Sequence, residues 1–172
     1  MSKGQSMLSA INLATLAKHA LDAGQQRKLS IITAESCTGG KLAVLLSEAP
    51  GAAEHFHGGF IAYTKATKTK ILGVPAALLQ QKGAVCDEVA LAMAQGALTR
   101  SPAQLAVAIT GVAGPEPDED GNPVGLVCIA TAGQDRKSTC SEKRYGAIGR
   151  EVVQQYAIAD ALTELINLID RG

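Results

Sequence analysis

Apolar residues recur along the chain at two spacings, one typical of amphipathic helices and one typical of buried strands. Residues 7–23 carry apolar side chains three or four positions apart, which predicts a first helix that ends before Gly24. Residues 29–34 are largely apolar and β-branched, which predicts a buried strand, and the helical spacing resumes over 42–50. The same criteria predict strands over 56–63, 105–110, 124–131 and 137–145, and helices over 64–72, 75–81, 87–100 (with Asp87 as N-cap) and 148–169.

The order of these elements predicts the fold class. Strands alternate with helices over most of the chain, and two neighbouring strands and a long helix complete it. Such alternation is typical of α/β proteins that place a sheet between two helical layers. We therefore predict a three-layer α/β/α sandwich around a mixed sheet. A single domain over residues 1–172 is long enough to bury a substantial core.

Composition and charge argue against several classes of function. Sixteen basic and 16 acidic side chains give a formal net charge of zero, and the aromatic residues are only three Tyr and two Phe. The chain therefore lacks the basic field and the stacking platforms of nucleic-acid-binding proteins. No apolar run reaches the ~20 residues that cross a bilayer, and the N-terminus lacks the apolar core of a secretory signal. We expect a cytoplasmic protein that binds neither nucleic acid nor membranes.

The loop after the first predicted strand carries a candidate nucleophile. Residues 34–40 read Ala-Glu-Ser-Cys-Thr-Gly-Gly, so that Ser36 falls between a strand and a helix. The free N–H groups at a helix start favour an anion, and the two glycines allow a tight turn. A Ser or Thr in this position is more often a helix N-cap than a nucleophile. Local sequence therefore leaves Ser36 and Thr38 open to both roles.

A serine nucleophile needs a base, and the three histidines are poorly placed to supply one. His19 lies within the first helix, and His55 and His57 flank the start of a strand without an aspartate partner. A lysine with a lowered pKa can act instead. Three lysines follow residue 63: Lys65, Lys68 and Lys70. Spacing alone does not choose among them, and a solvated basic helix face is the alternative.

Metal ligation is not indicated by the histidine and cysteine pattern. His55 and His57 would present two imidazoles on one strand face, but no Asp, Glu or Cys completes a site, and we predict no metal. The cysteines are scattered and form no CxxC, so we expect reduced thiols. They are Cys37, Cys86, Cys128 and Cys140.

A third loop follows the strand predicted over 105–110. Residues 110–115 read Thr-Gly-Val-Ala-Gly-Pro and offer a hydroxyl and several N–H groups to a carboxylate or a phosphate. A glycine–proline turn that simply leaves a strand explains them equally well. Residues 116–122, Glu-Pro-Asp-Glu-Asp-Gly-Asn, predict an acidic loop, which is a candidate cover for a site.

Five short motifs together resemble a known family. They are Ala34 to Gly40, Gly59 to Tyr63 with Lys68 five positions on, Gly83 to Val85, Thr110 to Pro115, and Pro123 to Gly125. Their order resembles the C-terminal domain of the competence/damage-inducible protein CinA, over residues 8–168. That family includes a stand-alone nicotinamide-nucleotide amidohydrolase. Because no nucleotide-pyrophosphatase domain precedes the motifs, we expect the stand-alone form.

The resemblance implies a reaction and a set of residues. The reaction is hydrolysis of the carboxamide of nicotinamide mononucleotide (NMN) to nicotinate mononucleotide and ammonia, in pyridine nucleotide salvage, without a metal or other cofactor. Ser36 would be the nucleophile, Lys68 its general base, and Tyr63 a hydrogen-bonding support. The substrate would meet Cys37, Thr38, Gly39, Gly40, Thr110, Gly111 and Arg150. Family habit and the Ala-rich helices lead us to expect a homodimer.

Elementary chemistry is consistent with these roles. A buried lysine loses its proton more readily than an exposed one, so that Lys68 can accept the Ser36 proton. The N–H groups of Cys37 and Thr38 can stabilise an oxyanion, each by about 3 kcal/mol. A guanidinium such as that of Arg150 suits the phosphate or the pyridine-bearing part of a nucleotide.

The chain departs from the family pattern in three places. Family members often have Ser-Asn after the tyrosine, where this chain has Thr64-Lys65, and the loop after Pro115 is acidic without the usual double glycine. Arg150 is assigned by position, since its segment reads Gly-Ala-Ile-Gly-Arg. Two alternatives remain open. One is a non-catalytic nucleotide-binding or regulatory module, linked to competence or DNA damage, in which Ser36 is only a cap. The other is an amidase with a different substrate.

Overall fold

The computed structural model describes residues 12–171 as strands and helices of the predicted types and order. The strands are β1 (Ile31–Glu35), β2 (Phe56–Ile61), β3 (Leu105–Gly111), β4 (Leu126–Gly133) and β5 (Arg136–Arg144). The helices are α1 (Leu13–Arg27), α2 (Lys41–Glu48), α3 (Ala52–His55), α4 (Lys65–Leu72), α5 (Ala76–Lys82), α6 (Asp87–Thr99) and α7 (Arg150–Asp170). Apart from the two ends of α1 and the extra short helix α3, the boundaries lie within two residues of the prediction.

One mixed sheet runs through the molecule in the order β2-β1-β3-β4-β5. Strand β1 pairs in parallel with β2 and β3, whereas the β3–β4 and β4–β5 pairs are antiparallel. Neighbouring residues of β1 point to opposite faces, because Ile31 packs with α1, α2 and α7 and Ile32 packs with α4, α5 and α6. The predicted three-layer α/β/α sandwich is confirmed.

Small residues bring α6 close to the sheet. On the face that α6 covers, β3 presents Ala106 and Ala108 and β4 presents Ala130 and Ala132, all fully buried. On the opposite face, β3 presents Leu105, Val107 and Ile109 to α7 and its neighbours. The alanine-rich composition is therefore explained by close helix–sheet packing. Within residues 12–171, no helix has both the length and the apolar content needed to cross a bilayer.

The end of the first helix differs from the prediction. Helix α1 continues through Gly24 to Arg27 and ends at Lys28, which adopts a left-handed conformation with φ 57°. Gly24 is used for close approach, because a Cβ there would lie 3.0 Å from the carbonyl oxygen of Leu29. The predicted helical residues 7–11 lie outside the described part of the chain.

Two further predictions about individual residues are wrong. Asp87 is the first residue of α6 and Cys86 holds the cap position; the Asp87 carboxylate instead accepts a hydrogen bond from the Cys140 thiol at 3.3 Å. His55 is the last residue of α3, so it does not share a strand face with His57 in β2.

The parallel strands bring the three candidate loops together. Because β1, β2 and β3 run in the same direction, their carboxyl ends meet at one edge of the sheet. There the Ser36 N–H donates to the Ile109 carbonyl at 2.9 Å, and the Ala62 N–H donates to the Glu35 carbonyl at 2.9 Å. Main-chain hydrogen bonds thus fix the start of the loop after β1 to β3, and the start of the loop after β2 to β1.

Candidate active site

Ser36 and Lys68 are in direct contact. The Lys68 Nζ donates to the Ser36 Oγ at 2.7 Å and to the Ala62 carbonyl oxygen at 2.9 Å. Lys68 is 1% exposed and Ser36 6% exposed. Burial disfavours the ammonium form and lowers the pKa of Lys68 to about 8. The pair therefore has the geometry and the proton affinity of a nucleophile and its general base.

The other two lysines lie in different surroundings. Lys65 forms ion pairs with Asp120 at 2.6 Å and with Glu119 at 3.0 Å, and hydrogen bonds to these carboxylates raise its pKa. Lys70 is exposed on the same helix. Of the three lysines that spacing left open, Lys68 alone contacts Ser36.

Glu35, which the sequence analysis passed over, organises the turn that carries Ser36. Its buried carboxylate accepts the main-chain N–H groups of the first turn of α2 and the Thr38 hydroxyl at 2.7 Å. The three N–H donors are Gly40 at 3.1 Å, Leu42 at 3.1 Å and Ala43 at 2.8 Å. A glutamate at the end of an otherwise apolar strand was the available signal.

This contact changes the role expected of the helix start. Glu35 supplies the negative charge that the positive end of α2 favours, so these N–H groups are not free for a substrate anion. The cap position of α2 belongs to Gly40, with φ 95° and no side-chain cap. Neither Ser36 nor Thr38 caps the helix: the Thr38 hydroxyl donates to Glu35, and the Ser36 hydroxyl faces Lys68.

Gln154, on α7, is a second residue that the sequence analysis missed. It is buried, its Nε2 donates to the Cys37 carbonyl at 2.7 Å, and its Oε1 accepts from Lys41 at 2.7 Å. Within residues 12–171, the Cys37 and Thr38 N–H groups donate to no main-chain carbonyl. A polar residue inside the apolar stripe of a helix was the signal that could have found Gln154.

Tyr63 and Arg150 form one side of the site. The Tyr63 carbonyl oxygen lies 3.4 Å from both the Lys68 Nζ and the Ser36 Oγ, whereas its phenol accepts from Arg150 at 3.1 Å. Arg150 also donates to the Gly114 carbonyl at 2.8 Å. It is the first residue of α7, because Gly149, with φ 100°, holds the cap position. Tyr63 therefore contacts Ser36 and Lys68 through its main-chain carbonyl oxygen, and not through its phenol.

The remaining predicted residues divide into two groups. Thr110 and Gly111 line the same cavity as Ser36, although the Thr110 hydroxyl is already donated to the Ala84 carbonyl at 2.7 Å. Thr38 and Gly39 line a separate, shallower depression beside Arg150. Gly40 is buried, and a Cβ there would lie 2.9 Å from Ile61.

The cavity that contains the pair has a volume of about 440 Å³. Its lining includes Ser36, Cys37 and Lys68, with Arg150 and four carboxylates of residues 116–120 among the other wall residues. Burial raises the pKa of Cys37 to about 12, so its thiol is a poor nucleophile beside Ser36. Among residues 12–171, no three His, Cys, Asp or Glu side chains are grouped as metal ligands.

Comparison with known proteins identifies the family. A family model described as the CinA C-terminal domain matches residues 13–169. The chain belongs to this family. It is 43% identical to a CinA-like protein of Synechococcus sp., over 84% of this chain and 33% of that protein. It is 42% identical to the nicotinamide-nucleotide amidohydrolase PncC of Pseudomonas putida, over 80% of this chain and 85% of that protein. The chain thus spans about a third of the length of the CinA-like relative.

Solved structures of the CinA superfamily share the fold. The competence/damage inducible protein CihA from Agrobacterium tumefaciens superposes with a TM-score of 0.87 at 41% identity, covering 91% of this chain and 94% of that one. A CinA superfamily protein from Klebsiella pneumoniae gives a TM-score of 0.90 at 31% identity, covering 94% and 100% of the two chains. The predicted family and the predicted mixed α/β architecture are confirmed.

The CinA motifs converge at the cavity. Four of the five contribute lining residues, through Ser36, Tyr63, Ala84 and Thr110 among others. The fifth, residues 123–125, packs behind the third loop, where the Gly125 N–H donates to the Val112 carbonyl at 2.7 Å. Motifs that are dispersed along the sequence therefore build one site.

Proposed function

We propose that this chain is an amidohydrolase that deamidates NMN through a Ser36–Lys68 dyad. The observation that carries the proposal is the 2.7 Å contact between the Lys68 Nζ and the Ser36 Oγ in a buried setting. The Pseudomonas putida relative, named for hydrolysis of a nicotinamide nucleotide, supports the choice of substrate. A place in pyridine nucleotide salvage follows from the substrate and product.

The dyad supports a covalent mechanism. Neutral Lys68 takes the hydroxyl proton of Ser36 while the Ser36 Oγ forms a bond to the carboxamide carbon. The N–H groups of Cys37 and Thr38, which donate to no main-chain carbonyl in the described part of the chain, stabilise the oxyanion. The protonated Lys68 then gives its proton to the departing nitrogen, the C–N bond breaks, and ammonia leaves. Water, deprotonated by Lys68, cleaves the resulting ester and restores the Ser36 hydroxyl.

The wall of the cavity supports a nucleotide as substrate. Arg150 places a guanidinium at the rim, where a phosphate can accept hydrogen bonds from it. Tyr63 and Gly114 already accept from this side chain, which restricts its orientation. A nicotinamide ring in the cavity would place its carboxamide at the dyad and extend its ribose phosphate toward Arg150.

The non-catalytic alternative is less well supported. It treats the start of α2 as an anion site and Ser36 as its cap. The Glu35 carboxylate already accepts three N–H groups at that helix start, and the Ser36 hydroxyl contacts Lys68. These contacts favour catalysis over anion binding at this position.

Ammonia release from NMN tests the proposal. Wild type, Ser36→Ala and Lys68→Met should be compared with Lys65→Met, which removes a lysine one helical turn away without touching Ser36. We expect turnover by wild type and Lys65→Met and a loss of at least ~10³-fold in the two dyad variants. Circular dichroism of each variant checks folding. No turnover by folded wild type would contradict the proposal, and full activity of Ser36→Ala would contradict the covalent mechanism.

A further inference from the structure

A lysine and an acidic loop that are distant in sequence are in contact. Lys65 is the first residue of α4, and residues 116–122 read Glu-Pro-Asp-Glu-Asp-Gly-Asn. In the fold, the Lys65 Nζ contacts Asp120 at 2.6 Å and Glu119 at 3.0 Å. The positive charge of Lys65 is therefore complementary to the negative charge of the loop that it contacts.

The loop is anchored at both ends. At one end, Arg150 donates to the Gly114 carbonyl at 2.8 Å. At the other, the two oxygens of Asp120 accept from Lys65 and from the Ala84 N–H at 3.0 Å. Residues 114–120 thus run as a strap across the cavity, from the start of α7 to the start of α4.

The position of the strap depends on Lys65, because the strap contains a high density of carboxylates. Residues 116–120 contain four carboxylates, all of which line the cavity. Asp118 is held within the strap by the N–H groups of Asp120 and Asn122, at 3.1 and 2.7 Å. Lys65 pairs with both Glu119 and Asp120 and so offsets one of their two negative charges. Without it, like charges would repel one another and move the strap away from the helix.

We propose that the Lys65–Asp120 link determines which carboxamides the cavity accepts, by fixing the acidic strap as its outer wall. The inference rests on the proposed function. The strap restricts the space beyond the reacting amide, and its carboxylates repel additional phosphates. A mononucleotide with one phosphate near Arg150 is accepted. A dinucleotide such as NAD⁺, with a second phosphate and an adenosine beyond the rim, is excluded.

The link acts on selection and leaves the chemical step unchanged. Ser36 and Lys68 are held by buried contacts with β3, with the loop after β2 and with each other, and none of these contacts involves the strap. Loss of the link therefore changes the KM for NMN and the access of NAD⁺, while kcat for NMN stays the same.

The test compares Lys65→Asn, Asp120→Asn and the charge exchange Lys65→Asp/Asp120→Lys, with Lys70→Asn as the matched control on the same helix. Ammonia release from NMN and from NAD⁺ gives the selectivity. We expect the single variants to lower the NMN:NAD⁺ ratio of kcat/KM about tenfold, and the exchange to restore part of it. Unchanged selectivity in Lys65→Asn, or an equal loss in Lys70→Asn, would overturn the proposal.

A second measurement needs no turnover. Amide hydrogen exchange over residues 116–122 should be faster in Lys65→Asn than in wild type and unchanged in Lys70→Asn. If wild type failed to hydrolyse NMN, the proposed function would fall. Amide hydrogen exchange, together with calorimetric measurement of NMN and NAD⁺ binding, would still decide the role of the strap. Equal exchange in Lys65→Asn and wild type, with equal binding preference, would refute it.

Discussion

Two lysines one turn apart on α4 line the same cavity, and their pKa values are shifted in opposite directions. Lys68 is buried and pairs with no carboxylate among residues 12–171, and burial lowers its pKa to about 8. Lys65 is half-buried between two carboxylates, and hydrogen bonds to Asp120 and Glu119 raise its pKa. The difference shows that local surroundings, and not the residue type, decide which lysine can serve as a base.

The loops that these lysines contact are stabilised in different ways. The Ser36 loop is buried and held by hydrogen bonds from main-chain N–H groups, hydroxyls and an amide, with the Glu35 carboxylate as the principal acceptor. The acidic strap is exposed and held in part by ion pairs with Lys65. Buried hydrogen bonds are insensitive to salt, whereas exposed ion pairs are screened by it. The following predictions test this contrast, from the largest effect to the smallest.

Removal of Glu35 should have the largest effect. Glu35→Ala leaves three N–H groups and the Thr38 hydroxyl buried without an acceptor, so we expect the free energy of unfolding to fall by about 3 kcal/mol. Glu116→Ala removes an exposed carboxylate from the strap and serves as the matched control. Urea denaturation of both variants measures the difference. Equal losses would show that the two loops are not stabilised differently.

Loss of Gln154 should slow the chemical step. Gln154→Leu removes the donor to the Cys37 carbonyl and frees the peptide whose other end is the Thr38 N–H. We expect kcat for NMN to fall about 30-fold with KM nearly unchanged, because the lost contact positions an oxyanion donor. Lys41→Met, which removes only the bond to the Gln154 Oε1, should change kcat little. A rise in KM at constant kcat would place Gln154 in substrate binding instead.

The sequence predicts the elements of this fold well because their periodicity is set by burial. It also supplies Ser36 and Lys68 through motifs, yet spacing cannot choose Lys68 over Lys65. That choice depends on the parallel β1–β2 pairing, which brings Ser36 next to the loop after β2. Gln154 lies 117 residues from Cys37, and no local pattern encodes so distant a contact. Glu35 was missed although it is adjacent in sequence. The motif predicted a helix start with free N–H groups, but it did not show that the Glu35 carboxylate already accepts them.

The pH dependence should follow Lys68. The base is active when neutral, so kcat/KM for NMN should rise with pH and level off above about 8. At pH 7 it should be about tenfold below the plateau, since each unit below the pKa reduces the neutral fraction tenfold. A stopped assay across buffers of constant ionic strength measures the profile. In Lys65→Met, kcat/KM should rise with pH over the same range as in wild type. A shift of this range in the variant would implicate Lys65 as the base.

The smallest effect should come from the strap itself. Asp120→Asn removes the charge that pairs with Lys65 but retains an oxygen for the Ala84 N–H. Both partners are partly exposed, so we expect a loss of unfolding free energy well below that of Glu35→Ala, which disappears in ~1 M NaCl. The loss in Glu35→Ala should persist at the same salt concentration, because its cause is unsatisfied hydrogen bonding. A salt-independent loss in Asp120→Asn would mean that hydrogen bonding, and not the ion pair with Lys65, holds the strap, which would then resemble the Ser36 loop.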